Sequence, residues 1–452
     1  MFAKPGEDQA NLRLAKANHI APDRANPSVL TRADWYNSTG PLHLWPPPSP
    51  RRKTRRPPPR IVLRPTGRGI AGDAFASGQS RPIMLSSPPP QAKADTAKNP
   101  ATDEAALDPD AMRQPLPDAF YCVGRADTLK PGSLRAVELN GEQIVLGRDK
   151  AGAAFAMRDR CPHRGMALSK GRFDGDAVTC PFHGWRFGTD GRCRDVPTLS
   201  SADAADFTRI TVQRFPIRES AGFVWVNPYL GPPGGDLPPL PELGFEAAGS
   251  LVVELVVEAS FDLTTLSLVD PGHVAFVHDS WWFRPSKELR EKVKTFTPTP
   301  HGFTMSSHAT TTSSPVYKLL GGVPEVEIEF RLPGVRLERI EAGPKRVANY
   351  TFATPLTHNR TMLTNALYWN MPVLNLLKPL ARPLMRQFLT QDQQVLQHAQ
   401  AGLDRKPTMV LFGQSDLPSQ WYFRLKREAL QAAREARSFR NPLVQQELRW
   451  RS

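Results

Sequence analysis

Four cysteines in 452 residues are too few for a disulfide framework, and two of them, Cys161 and Cys180, stand beside histidines. The other two, Cys122 and Cys193, read as free thiols of a reducing compartment, so a cytoplasmic location is expected. No run of about twenty apolar residues occurs, which argues against a spanning helix. The nearest, Met371–Leu389, is interrupted by Lys378, Pro379, Arg382, Pro383 and Arg386. The first thirty residues lack a continuous apolar stretch and include Glu7, Asp8 and Asp23, so a secretory signal is not expected. Nor does a G-x-G-x-x-G fingerprint follow a strand: Gly67–Gly72, the one run with those letters, lies in a tail without strand pattern.

That tail, residues 1–117, holds 20 of the 46 prolines and 17 Lys or Arg against 10 Asp or Glu, about half of the net charge of +14. Runs such as PPPSPRRKTRRPPPR (Pro46–Arg60) have no apolar periodicity and bury too little surface to offset ordering entropy, so the tail is expected to be disordered. Three readings stand for the Arg51–Arg56 cluster: contact with nucleic acid or another anionic surface, part of an organelle transit peptide, or an inert charge run. The inert reading is favoured because charge runs alone are weak signals; no nucleic-acid partner is expected.

What is present begins with CPHRGMALSKGRFDGDAVTCPFHGW, Cys161 to Trp185. Cys161 and His163 lie one residue apart, Cys180 and His183 two apart, with sixteen residues between the pairs. Each loop carries Pro after its Cys and Gly near its end, at Gly165 and Gly184, which permits tight turns and close backbone approach. Structural zinc takes the same ligand types, but zinc fingers usually group like residues together. One Cys and one His from each loop suit a [2Fe–2S] centre in which one iron takes both imidazoles.

In this pattern the chain resembles the Rieske non-haem iron oxygenases, of the vanillate demethylase and pheophorbide a oxygenase type. Met166 and Phe182 stand where the cytochrome bc type of Rieske protein would place two further cysteines. Around the motif, AFYCVG, SLRAVELNGEQIVLGRD with its Asn140-Gly141 hairpin signal, AAFAMRD, WRFGTDGRC with a turn at Asp190-Gly191, and ITVQRFPIRESAGFVWVN (Ile210–Asn227) alternate as short antiparallel strands. Residues 118–228 are expected to form the cluster domain, followed by a Pro- and Gly-rich link, Pro228 to Pro241.

Beyond the link, residues 242–452 open with a strand-like run and then carry Asp270, His273 and His278. At 100° per residue the two histidines are about 140° apart on a helix, so both reach one metal only if the helix breaks between them. Asp270-Pro271-Gly272 is a candidate breaking point. The bland reading makes Asp270 a helix N-cap beside ordinary histidines. Asp-x2-His-x4-His also resembles the family's mononuclear iron motif, which implies iron ligation by His273 and His278 and an Asp270 that joins the cluster of one subunit to the iron of the next. Leu266 stands where Asn or Glu is common in the family.

A non-haem Fe(II) site needs a carboxylate as well. Asp392 falls on an apolar helical stripe, Leu384, Phe388, Val395, Leu396 and Ala399, where an unpaired charge would be costly. A salt bridge to a nearby arginine is the alternative; His398 lies about 240° around from Asp392, and Asp279 adjoins His278. Glu325–Ile340 and Arg346–Trp369 alternate as antiparallel strands. Trp281, Trp282, Phe283, Phe330 and Tyr368 are candidate pocket aromatics, although such residues are more often core.

The fold expected is α+β: an antiparallel β cluster domain, then, by resemblance, a helix-grip domain with a curved antiparallel sheet. The resemblance implies a terminal oxygenase that receives electrons from a separate ferredoxin or flavin reductase and uses O2 to hydroxylate or demethylate a small organic substrate. It also implies a homotrimer. The rival reading is an electron-transfer protein whose C-terminal half only docks.

Overall fold

Asn140 and Gly141 both take left-handed φ, 52° and 78°, the geometry of a two-residue hairpin whose twist matches its strands. In the computed structural model the described residues are 115–116, 118–200, 203, 205–229, 237, 240–280, 282, 289–309, 321, 323–405 and 408–452. The tail expected to be disordered lies outside them save for Pro115 and Leu116, as does most of the link expected at 228–241.

Strand β1 (Tyr121–Arg125) opens the described fold. Then β2 (Leu134–Leu139), β3 (Glu142–Arg148) and β4 (Ala154–Arg158) pair as one meander, and β5 (Arg172–Phe173), β6 (Ala177–Thr179), β7 (Arg186–Gly188) and β8 (Cys193–Asp195) as another. Finally β9 (Ile217–Ser220) and β10 (Phe223–Val226) return beside β1 in the order β1-β10-β9. The alternation expected through Ile210–Asn227 is interrupted: the chain reverses at Ala221–Gly222, with φ of 52° and 79°. Alanine is a poor left-handed residue, which is why this turn is hard to read from sequence.

The second part is built on one eight-stranded antiparallel sheet. Its strands are β11 (Gly249–Val257), β12 (Glu291–Thr299), β13 (Gly302–Ala309), β14 (Glu325–Arg331), β15 (Val335–Ala342), β16 (Lys345–Thr357), β17 (Arg360–Trp369) and β18 (Gln446–Arg451). Spatial order is β11-β17-β16-β15-β14-β13-β12-β18, so β12 to β17 form a meander and β11 joins its far end. The connection from β11 to β12 therefore crosses the width of the sheet. It carries α1 (Phe261–Val269), capped by the Ser260 hydroxyl accepting from the Leu263 N–H, and α2 (Val274–Val277). After β17 come α3 (Lys378–Arg405) and α4 (Leu417–Arg434).

Alternation along β16 assigns the two faces. Phe352 packs edge-on to Phe223 and Trp225 of the first domain at 5.0 Å each, whereas Ala353, pointing the other way, clusters with Phe261 of α1. The helices are further tied together by charge. Lys426 of α4 donates to both carboxylate oxygens of Asp262 on α1, at 2.8 and 2.6 Å, and the Tyr422 hydroxyl donates to the same group. Both charged side chains are buried, and burial pushes the Asp262 carboxyl up and the Lys426 ammonium down while each holds the other ionised.

Removing one partner strands the other charge in the core. Lys426→Met is expected to cost about 3–5 kcal/mol in urea unfolding, and Asp262→Leu/Lys426→Met to recover most of that loss. A double variant as unstable as the single one would refute the assignment.

Candidate metal centres

The two Cys-His loops are the same turn built twice. In each, the Cys N–H donates to a carbonyl five residues on, Cys161 to Met166 at 2.7 Å and Cys180 to Trp185 at 2.8 Å. In each the glycine N–H closes back on the Cys carbonyl, Gly165 at 2.9 Å and Gly184 at 3.0 Å, with glycine φ of 76° and 74° that a side chain would strain. The histidine sits at the third position of one turn and the fourth of the other, so the pair is not a simple duplicate.

Those turns put Cys161 and Cys180 side by side in the core, each almost fully buried, and leave both imidazoles partly open. Burial pushes the Cys161 thiol up to about 11, so a thiolate there needs a positive centre. The His163 and His183 rings lie 4.6 Å apart, and His163 stacks on Trp185 at 4.6 Å and 7°. Burial, then His183, lowers the His163 pKa and favours the neutral ring that ligation requires. The Trp185 indole N–H finds no acceptor among the described residues, a donor left over beside the ligand rings.

The second group is compact. Between His273 and His278 the chain makes one turn of helix, α2, with the two histidines as its caps, so the five-residue spacing no longer separates them. Their rings are 5.5 Å apart. Asp392 of α3 brings Oδ1 to 3.7 Å from His273 Nε2 and 3.5 Å from His278 Nε2. Among the described residues these three form a group whose candidate ligand atoms all lie within 4.8 Å of one another.

Each imidazole is oriented from behind. His273 Nδ1 meets the Asp270 backbone carbonyl at 2.7 Å, and His278 Nδ1 meets Gln391 Oε1 at 3.2 Å, so both rings turn Nε2 toward Asp392. Phe388 stacks on His278 at 3.8 Å and 16°. Burial drives His278 down to about 4 and Asp392 up to about 6, the latter resisted by His273 and Arg336. A His278 ring kept neutral by burial, beside a carboxyl that burial pushes toward its protonated form, is the state a divalent metal would complete.

Asp270 is the C-cap of α1 and not an N-cap; its Oδ1 accepts from the Gly272 N–H at 2.6 Å and Oδ2 lies 3.7 Å from His273 Nδ1. Asp279 and His398 are exposed and outside the group. The buried side of α3 runs through Leu389, Leu396 and Gln400; Val395 and Ala399, expected on the stripe, face water. Of the candidate pocket aromatics, Trp281 and Phe283 lie outside the described residues, and Trp282 is 5.8 Å from Phe388. Phe330 is core under α4, and Tyr368 packs on the face turned to the first domain. Gln391 gave no signal in the sequence beyond its place before Asp392.

Residues 119–216 match the Rieske [2Fe–2S] domain and residues 257–429 the vanillate O-demethylase oxygenase C-terminal domain. The chain is 31% identical over 159 residues to the 4beta-methylsterol monooxygenase of Methylococcus capsulatus, covering 34% of this chain and 42% of that protein. It is 34% identical over 176 residues to the chlorophyllide a oxygenase of Chlamydomonas reinhardtii, covering 38% and 26%. It is 27% identical over 182 residues to the 5,5'-dehydrodivanillate O-demethylase oxygenase subunit of a Sphingobium species, covering 40% and 42%. The chain thus spans less than half the length of these curated relatives. Dicamba monooxygenase bound to dicamba shares the fold, with TM-score 0.61 and 19% identity over 71% of this chain and 99% of that one.

Replacing Gln391 by Leu removes the acceptor that sets the His278 tautomer. Anaerobic Fe(II) titration should then show affinity about 10–100-fold weaker, with the unfolding midpoint little changed; unaltered affinity would leave Gln391 without this role.

Proposed function

Because the chain belongs to the Rieske oxygenases, joining a Rieske [2Fe–2S] domain to a vanillate-demethylase-type oxygenase domain, we propose that it is a terminal oxygenase acting on a ring-containing organic substrate. The observation that carries this is the presence of two separate donor sets in one chain: the paired Cys-His loops, and the converging His273, His278 and Asp392. Such a cluster supplies one-electron transfer and a mononuclear Fe(II) with open positions supplies O2 activation.

Cys161, His163, Cys180 and His183 would hold the cluster. Buried thiols on the inside and half-open imidazoles on the outside leave the two histidines as the electron-entry and exit edge. His273, His278 and Asp392 would hold the iron, with Asp270 and Gln391 fixing ring orientation. Phe388 and Trp282 flank the His278 side with apolar surface that suits a planar substrate. Relatives named for a sterol, for chlorophyllide and for a divanillate all point to ring chemistry. A docking-only C-terminal half has nothing in its favour once the three ligands meet.

No dinucleotide-binding fold is among the described elements, so a separate ferredoxin or flavin reductase would supply electrons. A reducing cytoplasm suits the four cysteines, all buried and none paired in a disulfide. Among the described residues no helix is long and apolar enough to cross a membrane.

Within one chain the first domain packs on α1 through Tyr121 and Phe261, whose rings are 5.6 Å apart, as well as on the opposite sheet face through Phe223, Trp225 and Phe352. Exposed Phe182, next to His183, and exposed Phe276, between the iron-site histidines, are suitable contacts for a head-to-tail ring, with the partly open Asp270 carboxylate facing His183 of a neighbouring copy. We take the assembly to be a cyclic trimer.

Two measurements test these readings. Anaerobically purified, dithionite-reduced protein should show a Rieske EPR signal and about three irons per chain; His273→Ala and Asp392→Ala should keep the signal and lose about one iron. Two irons in every variant would reduce the protein to a carrier, and zinc without a signal would overturn both. Sedimentation of Phe276→Glu should give a smaller species than wild type; an unchanged mass would remove Phe276 from the interface.

A further inference from the structure

The apolar segment that the sequence leaves just short of a membrane span turns out to have two apolar sides. It runs from a short 3-10 turn, Pro372–Leu377, into the first turns of α3. Leu374, Ala381, Met385 and Phe388 pack inward against Leu251, Val253 and Leu255 of β11. Outward, Val373 is 64% exposed, Leu376 81% and Leu380 62%, with Leu377 beside them at 42%. Isolated exposed leucines are ordinary, but four large aliphatic side chains in eight residues make a ridge that no other described residue covers.

Along the chain, the charge next to the ridge is of one sign. No Asp or Glu occurs between Glu341 and Asp392, while Lys378, Arg382 and Arg386 follow the ridge at four-residue intervals. Arg382 and Arg386, with Arg125 of β1 and a single carboxylate, Glu254, line an open cavity of about 520 Å3 where the helix meets the edge of the sheet. Arg382 donates to the Val252 carbonyl at 3.2 Å, and neither Arg382 nor Arg386 has a carboxylate partner among the described residues. A row of guanidinium groups over a hollow beside an aliphatic ridge matches a surface that is anionic outside and apolar just beneath.

We propose that the outer face of residues 373–386 is a docking surface for a bilayer containing anionic phospholipid. Val373, Leu376, Leu377 and Leu380 enter the boundary between headgroups and acyl chains, and Arg382 and Arg386 meet lipid phosphates at the cavity mouth. The protein then lies on the membrane without crossing it, which the interrupting prolines and cations require.

The test uses the full chain in co-sedimentation with phosphatidylcholine vesicles, with and without phosphatidylglycerol. Binding is expected only with phosphatidylglycerol, to weaken with salt, and to fall about tenfold or more in Leu376→Glu/Leu380→Glu and in Arg386→Glu. Leu376→Cys carrying an environment-sensitive fluorophore, specific because the native cysteines are buried, should shift to the blue on those vesicles. Wild-type protein that ignores the vesicles, or variants that bind as well as wild type and so assign binding to another basic stretch, would overturn the proposal. So would a label that stays unshifted, or variants that alter only the sedimenting mass, which would make the ridge a contact between copies.

Discussion

A carboxylate buried among apolar side chains has to be balanced, and the basic groups within 4 Å of Asp392 are two imidazoles. Burial acts against the charged form of Asp392 and of His278 alike, so the protein alone satisfies neither. Much of the second domain can be understood as the means of bringing those three groups together. The crossing from β11 to β12 must span the sheet, and a broken helix along it supplies two histidines on one side of a single turn. The helix after β17 then supplies Asp392 from the other side, with Gln391 and Phe388 one residue and one turn away fixing His278. Lys426 and Asp262 tie α1, the start of that crossing, to α4.

The cluster loops solve a different problem. One turn type, used twice, delivers two buried sulfurs and two half-open imidazoles, and with histidine third in one turn and fourth in the other the two rings come within 4.6 Å. The core beneath them, with Val145, Phe155, Leu168 and Phe187, is separate from the aromatic seam of Phe223, Trp225 and Phe352 that joins the domains. Ligand loops and domain contact are thus built from different surfaces of one small β fold.

Much of this architecture was legible in the chain, and the reasons differ by element. The Asn140-Gly141 and Asp190-Gly191 turns announce themselves because their residues tolerate positive φ; Ala221-Gly222 does not, so the alternation around it reads as unbroken. Asp270-Pro271-Gly272 and the five-residue His spacing foretell a broken helix, and the broken helix is what brings His273 and His278 to Asp392. Gln391 is invisible beforehand because a glutamine on a helix is usually solvent-facing, and its meeting with His278 spans 113 residues. The Asp262–Lys426 pair, 164 residues apart, is likewise a product of tertiary packing alone. Periodicity placed Asp392 on the buried side of α3 but put Val395 and Ala399 there too, because a stripe of apolar letters does not say where the helix leaves the sheet. Aromatic residues were the least informative: Phe330 and Tyr368 serve two different cores on opposite faces.

Among the described residues strand β11 pairs with β17 only, so its other side presents backbone groups outside the ladder along an open sheet margin. Side chains of α3 cover that margin: Arg382 takes the Val252 carbonyl at 3.2 Å and Gln393 the Val256 carbonyl at 2.6 Å, four residues apart along the strand. The helix that carries Asp392 is thereby also the guard of one of the sheet's two edges. A chain that failed to seat it would lose its carboxylate and bare a ready template for strand addition at the same moment, coupling loss of the site to a hazard of self-association.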